Sequence, residues 1–162
     1  MLTQQKLKSI LHYDPDTGIF TNIAHRANRC KIGDKVGSKS KLGYLSTQIK
    51  GKAYLLHQLA WFYMYGYFPK IIDHINGITC DNRILNLREC NQSQNCGNTK
   101  KSKSNTSGYK GVSWSKSHNS WISRLMINGK SIYLGKYKNI EDAKEVYKIA
   151  SIKHFGEFAR QE

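Results

Sequence analysis

The chain has 162 residues, of which 26 are lysine or arginine and 11 are acidic, giving a formal charge of +15. Hydrophobic residues make up 39%, enough to fold as one ordinary domain or two small ones and too many for a disordered chain. Basic and acidic residues number 13 and 6 up to Cys96, and 13 and 5 after it, so the charge is no basic tail on a neutral enzyme. Such a balance points to a polyanion partner, because each lysine or arginine set on a phosphate releases condensed counterions. No apolar run approaches the roughly 18 residues of a membrane helix. The start, "MLTQQKLKSILHYD", lacks the long apolar core of a signal peptide, so neither membrane nor secretion is expected.

In chain order, Thr3 is placed to cap a short helix whose apolar face is Leu7, Ile10 and Leu11. "YDPDTGIF" reads as a turn leading into a strand, and "GYLSTQIKGKAYLL" as two strands joined at Lys50-Gly51. "HQLAWFYMYGYFP" reads as a buried helix, with Leu59, Phe62 and Tyr63 at helical spacing and Gly66 and Pro69 as stops. "IIDH" is a short apolar run, Asn76-Gly77 supplies a tight turn, and "RILNLR" returns as a strand. "NQSQNCGN" can begin a helix. "GNTKKSKSNTS", from Gly97 to Ser107, has no apolar residue and reads as a basic linker. Three short strands follow, in "GYKGVSWS", "SWISRLMING" and "KSIYLGKY". Asn139 then caps a helix in which Ile140, Ala143, Val146, Tyr147 and Ala150 keep the 3.6-residue period.

Cys30, Cys80, Cys90 and Cys96 form no C-x2-C pair, and Cys90 and Cys96 stand too far apart for a zinc knuckle. Free thiols in a reducing cytoplasm are expected rather than structural zinc. The chemistry concentrates instead in "DHINGITCDNRILNLRECNQSQN", Asp73 to Asn95. Hydrolysis of a phosphodiester needs an activated water, charge stabilisation on the phosphate, and help for the departing 3′ oxygen. Asp73 can hold a divalent cation, His74 can take a proton from water, and Asn95 can be a neutral oxygen ligand. Asn86 can hydrogen-bond across the hairpin and fix the loop beside the imidazole. Hard oxygen ligands suit magnesium or manganese better than zinc. By themselves these residues also fit a surface pair and a set of turn formers.

The whole stretch resembles the HNH endonuclease motif in its H-N-N form, as found in phage homing endonucleases. The match reads Asp73-His74, Asn76-Gly77, "DNRILNLR", then Asn95, and the preceding "HQLAWFYMYGYFP" resembles that group's "HRLAW" helix with Gln58 where arginine is usual. The resemblance implies a ββα-metal hairpin and helix, with His74 as general base and Asn86 as the structural middle residue. It also implies one Mg2+ or Mn2+ ion on Asp73 and Asn95. Asn95 in place of a third-letter histidine removes a second imidazole ligand. His57 can touch a phosphate, although packing inside its helix is the favoured role.

"YKGV", the tryptophan-centred second strand, "YLGKY", "EDAKEVY" and "FGEFA" occur in the order found in the APETALA2/ethylene-response-factor DNA-binding domain, which residues 106 to 159 resemble. That resemblance implies a three-stranded sheet lying in the major groove and backed by one helix. Strand alternation puts Trp121, Ser123, Leu125 and Ile127 against the helix, and Ile122, Arg124, Met126 and Asn128 on the other face. Arg124 is then the leading DNA contact, with Lys110, Ser113, Ser115, Lys130 and Tyr133 around it. Ser113, Ser115 and Met126 stand where the plant domains carry arginines, so their target sequence does not transfer.

The expected fold is α+β: a nuclease domain over 1–96, a basic linker over 97–107 and a DNA-binding domain over 108–162. The expected protein is a metal-dependent endonuclease of homing type acting on double-stranded DNA in the cytoplasm of a bacterium or phage-infected host. It leaves 5′-phosphate and 3′-hydroxyl ends. The alternatives are a non-catalytic DNA-binding regulator with an inactive hairpin, and an RNA-binding protein of the same charge.

Overall fold

The computed structural model describes residues 2–25 and 30–160. Helices and strands are mixed, in keeping with an α+β chain, and fall into two compact units, 1–89 and 90–162. No helix among the described residues is long and apolar enough to cross a membrane.

The first unit opens with α1 (Gln4–Lys8), where Thr3 Oγ1 accepts from the Lys6 amide at 3.2 Å. The helix is shorter than expected. Only Leu7 of the three apolar residues lies in it, because Leu11 already begins a strand. β1 (Leu11–Asp14), β2 (Ile19–Asn22) and β3 (Lys35–Val36) form one antiparallel sheet; β4 (Ser38–Lys39), β5 (Leu45–Ile49) and β6 (Lys52–Leu55) form another. Lys50 and Gly51, at φ +49° and +76°, make the expected turn between β5 and β6. β3 and β4 carry no sequence signal long enough to have marked them.

α2 (Leu56–Tyr65) turns Leu56, Leu59, Ala60 and Phe62 into a core with Leu7, Leu11, Tyr13, Phe20 and Ile49. Gly66, at φ +81°, ends it by donating its N–H to the Phe62 carbonyl, a left-handed cap that a side chain disfavours. β7 (Ile72–His74) pairs with β8 (Leu87–Glu89), and Leu87 anchors this ribbon in the core. The expected reversal at Asn76-Gly77 is one bend within a longer loop, 75–86. Its last residues, Ile84–Asn86, form a 3-10 turn, so Asn86 precedes the returning strand rather than lying in it.

The β1–β2 hairpin buttresses that loop. The Ile84 N–H donates to Pro15 O at 3.0 Å, and the Tyr13 hydroxyl donates to Asn82 O at 2.7 Å. Gly18, at φ +71°, packs so closely that a Cβ there would lie 2.4 Å from Arg83 N. Gly18→Ala should therefore cost about 2 kcal/mol or more, from backbone strain plus the clash. Thermal unfolding checks this, and an unchanged midpoint would mean that the hairpin does not brace the loop.

In the second unit, α3 (Gln92–Gly97) begins with a capping box, Asn91 Oδ1 accepting from Gln94 N and Gln94 Oε1 from Asn91 N. β9 (Val112–Ser115), β10 (Ser120–Ile127) and β11 (Lys130–Tyr137) form an antiparallel sheet in the order β11-β10-β9, and α4 (Ile140–Phe155) packs against it. Ala143, Tyr147 and Phe155 are its buried apolar residues, and Asn139 caps it by accepting from Glu141 N. α3 packs on α4 and β10, and a Cβ at Gly97 would lie 2.8 Å from Phe155 Cγ. Residues 98–107 hold no helix or strand, yet they are not loose. Lys110 Nζ donates to Gly97 O at 2.8 Å and Thr99 O at 2.7 Å, and Lys101 Nζ donates to Gly108 O.

Candidate active site

β7 delivers Asp73 and His74 as its last two residues, 5% and 4% exposed. Asp73 sits opposite Arg88 in the β7–β8 register, so the guanidinium reaches its Oδ2 from Nε at 2.9 Å and from a terminal nitrogen at 2.8 Å. This charge-assisted pair fixes the carboxylate.

His74 Nε2 lies 3.3 Å from Asn82 Oδ1. An Nε2–H donated to that oxygen leaves the ring's lone pair on Nδ1. Burial lowers the His74 pKa below its ordinary value, against weaker opposing effects of Asn82 and Asp73. The ring is therefore neutral at neutral pH. His57, on α2, meets it edge-on at 5.0 Å between centroids, and Tyr44 lies 6.0 Å from His74 and 5.3 Å from His57. Burial first, and the neighbouring His74 second, push the His57 pKa down to about 4. His57 Nδ1 and Asn82 Nδ2 are buried without a hydrogen-bond partner.

Asn86 braces the loop as the sequence suggests. Its Oδ1 accepts from Asn76 N at 3.0 Å and its Nδ2 donates to Asp81 O at 2.8 Å. Asp81 is held down to about 2 by Arg83, and its carboxylate also accepts from Asn76 Nδ2 at 2.7 Å. Asn82 is the residue that sequence reasoning passed over. Its 1% exposure and double engagement with His74 and Tyr13 arise from contacts far apart in the chain. A polar residue inside "CDNRIL" was the only local signal.

Asn95 lies half-buried on α3 in the second unit. Ser113, Arg124, Lys130 and Tyr133 are exposed on the C-terminal sheet, and Arg124 and Tyr133 are register partners. Ser115 is half-buried and hydrogen-bonds Ser117 and His118. Lys110 does not join them, since its ammonium is spent on carbonyls at the end of α3 and just beyond. The expected alternation along β10 also fails at two positions: Ile122 is buried and Trp121 only half-buried against Trp114. The β10–β11 register shifts between Ser123 and Arg124, an irregularity that breaks the strict two-residue alternation on which the expectation relied. The four cysteines are free thiols, and no cluster of three His, Cys, Asp or Glu residues suited to a metal occurs among the described residues.

A loop braced by asparagines that presents an Asp-His pair from a two-stranded ribbon falls within the segment 54–96 matched by the HNH endonuclease family. The chain therefore carries an HNH endonuclease domain. Protein 3.8 of Escherichia phage T7 is 36% identical to it over 111 residues, covering 67% of this chain and 91% of that protein. The chain belongs to the family of that phage protein. No solved structure matches it.

The buried histidines make stability pH-dependent. An unfolded His57 takes up a proton near its ordinary value of 6.5, whereas the folded one resists until about 4. The unfolded state binds more protons in that window, so stability should fall as pH drops from about 6.5 to about 4. The loss should reach about 3 kcal/mol. Melting temperatures at pH 7 and pH 4.5 should show it, with His57→Met flattening the difference. An equal drop in wild type and variant would remove His57 as the cause.

Proposed function

We propose that the protein is a metal-dependent DNA endonuclease of homing type in which His74 is the general base. The observation that carries this reading is the buried imidazole that follows Asp73 at the end of β7 and lies 3.3 Å from the Asn82 carboxamide oxygen. In a strand's last residue, next to a braced loop, the lone pair on Nδ1 takes a proton from water as it attacks the scissile phosphate. Tyr13 keeps Asn82 in place. Its phenol is held protonated by burial, so the bond to the Asn82 carbonyl persists over the working pH range.

One carboxylate and one neutral carboxamide oxygen suit a hard dication such as Mg2+ or Mn2+ that keeps much of its water. Asp73 and Asn95 would hold it. When bound, it supplies positive charge to the phosphate and the leaving 3′ oxygen. Arg88 holds the Asp73 carboxylate in position for that role. The products are 5′-phosphate and 3′-hydroxyl ends.

Double-stranded DNA is the substrate that an HNH domain implies. The C-terminal sheet, with an APETALA2-like order of elements, presents Arg124, Lys130, Tyr133, Ser113 and Ser115 as the surface that places the nuclease. A supercoiled plasmid incubated with and without magnesium or manganese tests the reading. Nicks that a ligase can seal should form only with the ion. Binding without cleavage under either ion would favour the non-catalytic regulator.

A further inference from the structure

The first unit has a second concave face that the proposed chemistry leaves unused. A groove of about 700 Å³ is lined by residues of α1, β6 and α2 and by the segment that follows α2. Phe62 and Phe68 stack in it, 4.2 Å between centroids and 11° between planes, and Phe68 lies 6.3 Å from Tyr54 at 23°. Phe62 is buried at 6% exposure, whereas Phe68 is 43% exposed. Single exposed phenylalanines need no explanation. Here an exposed ring is held flat against a buried one, with a third ring nearly parallel.

Charge surrounds the same rings. Lys52 lines the groove with its ammonium 5.5 Å from the Tyr54 centroid. A depression of about 260 Å³ shares Leu2, Lys52 and Tyr54 with it and is edged by Lys6 and Lys50. Among the described residues no carboxylate pairs with any of these three lysines. Gln58 also lines the groove. Its carboxamide offers both a donor and an acceptor.

Flat apolar surfaces beside ammonium groups match one ligand chemistry, an unpaired nucleotide with a bare base face and an anionic backbone. Duplex DNA keeps its base faces inside the stack and would engage only the lysines. An apolar peptide would cover the rings and leave the ammonium groups unanswered. We infer that this groove binds single-stranded DNA, with a base on Phe68 and Tyr54, its edge against Gln58, and phosphates on Lys6, Lys50 and Lys52. The site lies apart from Asp73 and His74 and does not depend on their chemistry.

The test uses the full chain in EDTA, with fluorescence anisotropy on a labelled oligothymidylate and on an abasic oligonucleotide of equal length and charge. Wild type should bind the base-containing strand about 5-fold tighter or more, from the stacking of one or two bases. Phe68→Leu should reduce that preference to less than about 2-fold and leave duplex affinity within about 2-fold. Tyr54→Leu serves the same purpose should Phe68→Leu fail to fold. Lys52→Gln should weaken both single strands alike. Equal wild-type affinity for the two oligonucleotides, or a preference that survives the ring substitutions, overturns the site. Because no divalent ion is present, a protein that shows the preference but never nicks plasmid would keep this groove and lose the proposed nuclease reading.

Discussion

His74→Ala should abolish plasmid cleavage while duplex affinity stays within a few fold. In the proposed mechanism the imidazole takes the proton of the attacking water, a contribution worth about 10²- to 10⁴-fold in rate. It carries no charge at neutral pH because burial depresses its pKa, so its loss removes no attraction for phosphate. Duplex affinity is expected to come from the 26 lysines and arginines and to fall steeply with salt in wild type and variant alike. The measurement is a single-turnover cleavage rate beside a binding isotherm in EDTA. A variant that cuts within about 10-fold of wild type would take His74 out of the mechanism.

Arg88→Leu should produce the largest fall in stability of any single change at the site. Asp73 and Arg88 side chains are 6% and 14% exposed, so the variant strands a buried carboxylate without this counter-charge. Breaking such a pair typically costs about 3–5 kcal/mol, whereas replacing both members by neutral groups is often tolerated. The melting temperature should drop by about 10 °C or more, and Asp73→Asn combined with Arg88→Leu should recover much of it. Neither protein should cleave, since the first loses the orientation of the carboxylate and the second the carboxylate itself. An Arg88→Leu protein that melts within about 2 °C of wild type would show that the ion pair does not hold the site.

The elements that the sequence foretold are those whose signals are local. α2 shows helical spacing and a glycine stop; the β5–β6 turn shows Lys50-Gly51; α4 shows a cap and an apolar period. The bracing role of Asn86 was also legible, because an asparagine ten residues beyond the Asn-Gly bend can reach back across its own loop. Residues whose roles depend on distant partners were not. Asn82 is set by Tyr13 and His74, and His57 meets His74 only because α2 packs beside β7's end in the folded unit. The Asp73–Arg88 pair needs the β7–β8 register, which the length and shape of loop 75–86 decide. Lys110 looked like a phosphate ligand because a lysine in a basic segment reads as exposed. Three carbonyls at and beyond the end of α3 claim it instead.

The anchoring of α3 bears on how such a protein can be recombined. The helix that carries Asn95 finds its packing in α4 and β10, its terminal Gly97 lies against Phe155, and Lys110 and the Arg160 amide hold the Gly97 carbonyl. A chimaera that exchanges the C-terminal sheet at a junction within 97–107 would keep Asn95 in sequence but lose the scaffold that shapes its helix. A junction before Asn91 would instead import a foreign helix together with its own support. Exchanging the C-terminal sheet is therefore a question of inheritance as much as of affinity: the donor must bring an equivalent of α3, asparagine included, or the recipient arrives without a residue proposed to hold a metal.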